Sequence, residues 1–222
     1  MKKLAVFGCS WTYGVPGVGE KHNKLYDCWP LRFSLQNKDY KVYNFARGGT
    51  CVNWSIARLL QFLQTPLAED CKIVFQVTQP YRFTSNVDAC TQGDYNFLQY
   101  ENYFVDRGTD PITHMPGNIS LRKSPEAKLY RSMVKHYPDT YSFIEHEAQI
   151  AYLKNICNFV YRHNSINYKI LPNLKNKHTK IFGVRETLTK VKWKQYVADA
   201  GDHFGPDGLE WIANIVKEKI ND

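Results

Sequence analysis

A serine stands just past a short apolar run in AVFGCSWTYG, residues 5–14: the run stops at Gly8 and Ser10 follows two residues later. Near the other end of the chain, ADAGDHFGPDG, residues 198–208, sets His203 beside Asp202 and four residues after Asp199. A serine hydroxyl is a weak nucleophile until a base takes its proton. Histidine is the usual base near neutral pH, and a carboxylate can fix its tautomer and stabilise the imidazolium. Backbone N–H groups at a glycine turn can meet a developing oxyanion, and ARGGT, residues 46–50, offers Gly49 for that purpose. Ser10, His203, a nearby aspartate and Gly49 therefore supply the four roles of acyl transfer. Each has an ordinary reading as well. A serine in such a turn caps helices, a double glycine makes turns, and a lone histidine sits on surfaces.

These residues work together only if the intervening elements bring them to one place. KLAVFG, residues 3–8, reads as a short buried strand ended by glycine. A helix is expected over 28–36, with Pro30 tolerated in its first turn. A second strand follows at 40–45, a helix at 53–64 and a third strand at 72–78. The first eighty residues thus spell β-α-β-α-β, the order of a parallel sheet with helices on its faces. Such sheets place their sites outside the carboxyl ends of the strands, where Ser10, the 46–50 turn and Thr78 all fall.

The later chain is read more coarsely. Residues 84–125 are rich in Asn, Asp, Thr, Gly, Pro and Tyr without a period, and 84–138 reads as an irregular insertion. A helix is expected over 126–136 and a long one over 139–163, with Ile144, Ala148, Tyr152, Ile156 and Phe159 or Val160 as its largely apolar stripe. A fourth strand is expected at 167–171, a strand or loop at 178–184 and an amphipathic helix at 207–220.

In chain order, FGCSWTYG, NFARGGTCVNWSI, VFQVTQPYRF and GDHFGPDGLEWIA resemble the motif blocks of the SGNH/GDSL hydrolase superfamily, most closely its divergent bacteriophage members. The resemblance covers the framework of one domain, residues 1–222, apart from the 84–138 insertion. It implies a three-layer α/β/α sandwich with a parallel, flavodoxin-like sheet. It implies Ser10 as nucleophile and His203 as base, with the Ser10 and Gly49 N–H groups in the oxyanion hole and no cofactor or metal. The sequence departs from the pattern in three places. Cys9 replaces the usual aspartate before the serine. No asparagine ends the third strand, where Thr78 or Gln79 would have to serve. Asp202 is adjacent to His203 instead of two or three residues before it; we assign the acid to Asp202, with Asp199 as the other claimant. Trp11 reads as a stacking platform for substrate or as core. Asn53 reads as a substrate contact or a helix cap, and Arg82 as a contact at the site or a tie to the insertion.

The expected function is a serine esterase or deacetylase working through an acyl-enzyme at Ser10. Family analogy and the aromatic-rich insertion point to a carbohydrate or glycoconjugate O-acetyl ester. The chain carries 29 Lys and Arg against 21 Asp and Glu, a net charge of +8. That balance motivates the alternative of a catalytically reduced binding module for an anionic partner such as nucleic acid, or a phosphodiester-cleaving variant. No dense basic run is present, however, and apolar residues interrupt the most basic stretch, 169–194. The six cysteines, at 9, 28, 51, 71, 90 and 157, form no CxxC pair and fit no zinc spacing. The amino-terminal apolar run is too short for a signal peptide and no run approaches a membrane span. The expected location is a reducing cytoplasm, that of the host if the gene is a phage's.

Overall fold

The computed structural model describes residues 1–14, 26–78, 83–84, 95–108, 113–114, 139–162, 181–188, 190–197 and 203–222, with the single positions 125, 128 and 132. Strand β1 (Lys2–Phe7) is buried from Leu4 to Phe7. Side chains on both its faces are covered, which is why it reads as an unbroken apolar run. One-turn helix α1 (Ser10–Tyr13) follows it, then α2 (Trp29–Gln36), whose Pro30 lies in the first turn where no backbone N–H is needed. Strand β2 (Tyr40–Asn44), helix α3 (Val52–Leu63) and strand β3 (Cys71–Val77) complete the β-α-β-α-β opening. β1 lies between β2 and β3 and pairs in parallel with both.

Strand β4 (Phe83–Thr84) pairs with β7 (Thr113–His114) in a separate two-stranded antiparallel sheet. Strands β5 (Phe97–Tyr100) and β6 (Tyr103–Asp106) form a hairpin, and β6 joins the main sheet in parallel beside β2. The 84–138 region is therefore not irregular throughout. Its aromatic residues at 97, 100, 103 and 104 include an edge hairpin that extends the sheet.

Helix α4 (Asp139–Ile156) ends before the expected 163, and Phe159–Arg162 is strand β8, parallel to β3. Asn158 makes the break. Its N–H donates to the Ile73 carbonyl at 2.9 Å and its Oδ1 accepts from the Ile73 N–H at 2.8 Å, so the chain is captured by β3. The expected apolar stripe of α4 is also rotated. Ile144, Ala148 and Tyr152 are exposed, whereas His146, Ile150 and Leu153 are buried. Strand β9 (Phe182–Gly183) pairs with β8. Short helices α5 (Val184–Thr187) and α6 (Lys190–Tyr196) and the long α7 (Pro206–Asn221) follow. The strand expected at 167–171 and nearly all of the helix expected at 126–136 lie outside the described residues.

The seven-stranded sheet runs β5-β6-β2-β1-β3-β8-β9, all parallel except β5. Helices cover both faces. On one, α2 and α7 contribute Leu31, Phe33, Leu209, Ile212 and Val216 against Leu4, Val6, Val42 and Val74. On the other, Leu59 and Phe62 of α3 and Ile150 and Leu153 of α4 pack on Ala5, Phe7, Phe75 and Val160. Strand order reverses direction at β1, so a crevice belongs beyond its carboxyl end. Ser10 is placed there.

Candidate active site

Gly8 ends β1 with φ +157°, and a Cβ added there would lie 2.7 Å from both Cβ and Oε1 of Gln76 in β3. Only glycine lets the chain pass so close to the neighbouring strand and turn directly into α1. The Cys9 carbonyl accepts from the N–H groups of Thr12 (3.0 Å) and Tyr13 (2.9 Å), which closes the helical turn and leaves Ser10 as its first residue. The first N–H of a helix has no intrahelical acceptor, and here that N–H belongs to the proposed nucleophile.

Ser10 Oγ lies 2.9 Å from His203 Nε2, a hydrogen bond between residues 193 positions apart. The histidine is held by its surroundings. Trp11 stacks on the imidazole, with ring centroids 4.6 Å apart and planes 16° apart, and meets Phe204 edge-on at 5.4 Å. Phe204 bridges to Val197, and the Gly205 N–H donates to the Tyr196 carbonyl at 2.8 Å. That anchors the segment just before α7. Trp11 is only 8% exposed and belongs to the core cluster between the sheet and α7. Its place is against His203, with one face of its ring taken up by the imidazole.

The turn after β2 is bound to the turn after β1. The N–H of Arg47 donates to the Gly8 carbonyl at 3.1 Å, and Thr50 Oγ1 donates to the same oxygen at 3.0 Å. Gly49 has φ +78°, a left-handed conformation that favours glycine. Arg47 is buried. It donates to the Gly108 carbonyl at 2.7 Å and lies over the Tyr13 ring, so it ties the end of the β5–β6 hairpin to α1. Thr78, just beyond β3, is also buried, and its hydroxyl has no hydrogen-bond partner.

Asn53 is exposed on the first turn of α3. Its Nδ2 donates to Glu145 Oε1 of α4 at 3.3 Å, and the N-cap of the helix is Cys51, whose sulfur accepts from the Trp54 N–H. The capping reading of Asn53 is thus corrected: the thiol takes that position. Asp202, Asp199, Gln79 and Arg82 lie outside the described residues.

Sequence reasoning passed over Gln76. Its Oε1 accepts from the Cys9 N–H at 3.2 Å, from the Cys9 thiol at 3.6 Å and from Thr12 Oγ1 at 2.8 Å. Thr12 Oγ1 in turn accepts from Trp29 Nε1 at 3.4 Å and lies 3.1 Å from the Tyr161 hydroxyl. Asn44 of β2 donates to the Thr12 carbonyl and to the Tyr103 hydroxyl. Burial raises the Tyr161 and Tyr103 hydroxyls well above the usual phenol range, so both stay protonated. A glutamine within a run of apolar strand residues was the available signal: a buried amide is costly unless its hydrogen bonds are met.

Five cysteines are described, all free thiols. Burial pushes the thiols of Cys28, Cys71 and Cys157 up to about 12, so they stay protonated at neutral pH. Among the described residues no group of three His, Cys, Asp or Glu could hold a metal ion, and no helix is long and apolar enough to cross a membrane. No protein-family model matches the chain, and no curated protein matches it.

Proposed function

We propose that the chain is a serine hydrolase that cleaves an ester through an acyl-enzyme at Ser10, with His203 as the base. The observation that carries the reading is the 2.9 Å contact between Ser10 Oγ and His203 Nε2 beyond the carboxyl end of the central strand. Supporting it is the partial strand order β2-β1-β3-β8-β9, which follows the 2-1-3-4-5 order of flavodoxin-like sheets. The motif resemblance to SGNH hydrolases supplies the remaining roles.

In the proposed reaction Ser10 Oγ–H gives its proton to neutral His203 Nε2 as the oxygen attacks the ester carbonyl. The oxyanion of the tetrahedral intermediate is met by the N–H groups of Ser10 and Gly49. The Thr78 hydroxyl, buried and without a hydrogen-bond partner, is assigned the part of the family's asparagine donor. His203 then gives the proton to the departing alkoxide. Water, deprotonated by the same nitrogen, attacks the acyl-enzyme and releases the acid and Ser10. Asp202 is assigned the task of orienting His203, and Arg82 a contact to substrate. A carbohydrate or glycoconjugate O-acetyl ester remains the proposed substrate, and a reducing cytoplasm the proposed location. Trp11 acts here as support for the base, since its ring is stacked on the imidazole.

The test is labelling with a fluorophosphonate probe, which reports an activated serine without the natural substrate. Wild type should be labelled at Ser10, and Ser10→Ala and His203→Ala should not. A folded wild-type protein that fails to label would sink the hydrolase reading and favour a binding module on the same fold.

A further inference from the structure

We propose that Gln76 is a positioning residue for the nucleophile: its amide oxygen fixes the Cys9–Ser10 peptide and so aims the Ser10 N–H at the reacting carbonyl oxygen. The proposal rests on the hydrolase reading and deepens it. The orientation of the amide is not ambiguous. Cys9 N–H can only donate, so the Gln76 atom facing it at 3.2 Å must be the oxygen. Thr12 Oγ1, 2.8 Å from that oxygen, must then give it its single proton. Its lone pairs are left to accept from Trp29 Nε1–H and the Tyr161 hydroxyl. Every proton in this buried chain therefore points toward Gln76 Oε1, an arrangement in which successive hydrogen bonds polarise one another.

The geometry connects this acceptor to the reacting centre. The Cys9 N–H is held by Gln76, and the Cys9 carbonyl is held by the N–H groups of Thr12 and Tyr13. Both sides of the residue before the nucleophile are thus fixed. The Cys9–Ser10 peptide is trans, so the Ser10 N–H points opposite to the Cys9 carbonyl, away from the α1 turn. Where related motifs carry an aspartate before the serine, this chain has a thiol, which also leans on Gln76 Oε1. The strand side chain supplies from β3 the acceptor that the turn itself lacks. Gly8 belongs to the same device, because any larger residue would push the turn off Gln76.

The experiment compares wild type, Gln76→Met and Gln76→Glu. Met keeps the length of the side chain and removes the acceptor; Glu keeps an acceptor oxygen. For each, the rate of phosphonylation at Ser10, kcat and KM for an activated acetyl ester, and hydrogen exchange at the Cys9 amide are measured, with thermal melts to confirm folding. Gln76→Met should lose on the order of 10- to 100-fold in phosphonylation rate and kcat. KM should stay within about twofold, the Cys9 amide should exchange faster, and Gln76→Glu should recover most of the rate. A folded Gln76→Met protein that reacts as fast as a reactive wild type overturns the positioning role and leaves the hydrolase reading intact. A wild type that is itself inert, with Cys9 exchange still faster in Gln76→Met, overturns the hydrolase reading and upholds Gln76 as the residue that holds the turn.

Discussion

His146 makes the stability of this protein depend on pH in a window that can be worked out beforehand. It faces inward from α4, is 3% exposed, and its Nδ1 has no hydrogen-bond partner. Burial, reinforced by the positive charge of Arg162, lowers its pKa from 6.5 to about 4. The unfolded chain takes up a proton at the higher value and the folded protein only at the lower one. Between the two, the unfolded state binds more protons, so stability rises with pH across this window and is lost as pH falls through it. The gap corresponds to roughly 3 kcal/mol in full, of which about 2 kcal/mol is gone by about pH 5. The perturbation is His146→Leu, which removes both the titration and the unpartnered nitrogen. Urea unfolding of both proteins at about pH 5 and about pH 7.5 gives the double difference, in which contributions common to the two proteins cancel. Wild type should lose about 2 kcal/mol more than the variant on acidification. Equal losses would refute the argument.

Three further outcomes follow from particular contacts. Gly8→Ala should cost about 2–3 kcal/mol in chemical denaturation, because its Cβ would meet Gln76 at 2.7 Å with the backbone in a left-handed conformation. Arg58→Met should cost about 3–5 kcal/mol, since it strands the buried Asp106 carboxylate; adding Asp106→Asn should recover part of that loss in the same unfolding assay. Trp11→Leu should lower kcat on an activated ester by about tenfold, and Trp11→Phe by much less, as the ring that backs the imidazole is removed or kept.

The residues themselves explain how much of this was legible. β1, β2 and β3 announce themselves because they are short, apolar and bounded by glycine, polar turns or proline, and α3 because its buried face repeats at helical spacing. β8 was hidden because Phe159 and Val160 continue the apolar period of α4. Only the long-range pairing of Asn158 with Ile73 ends the helix there. The buried face of α4 was misread because a histidine occupies an inward position and isoleucine and tyrosine occupy outward ones. Periodicity counts apolar residues and cannot see which neighbours cover them. Ser10 and His203 stood out by type and context, and the structure brings them together. Gln76 did not, because the value of a buried acceptor depends on the donors that fold against it.

The hydrogen bond between residues 10 and 203 also bears on biosynthesis. Translation delivers the serine turn long before the imidazole, which follows only after β8 and β9 have had the chance to join the sheet. A ribosome-bound chain shorter than about 200 residues can display the Gly8–Ser10 turn but has no partner for its hydroxyl. The pairing of these two side chains therefore has to wait until the strands between them have been made, and products truncated between residues 10 and 203 should carry the Ser10 turn without the imidazole.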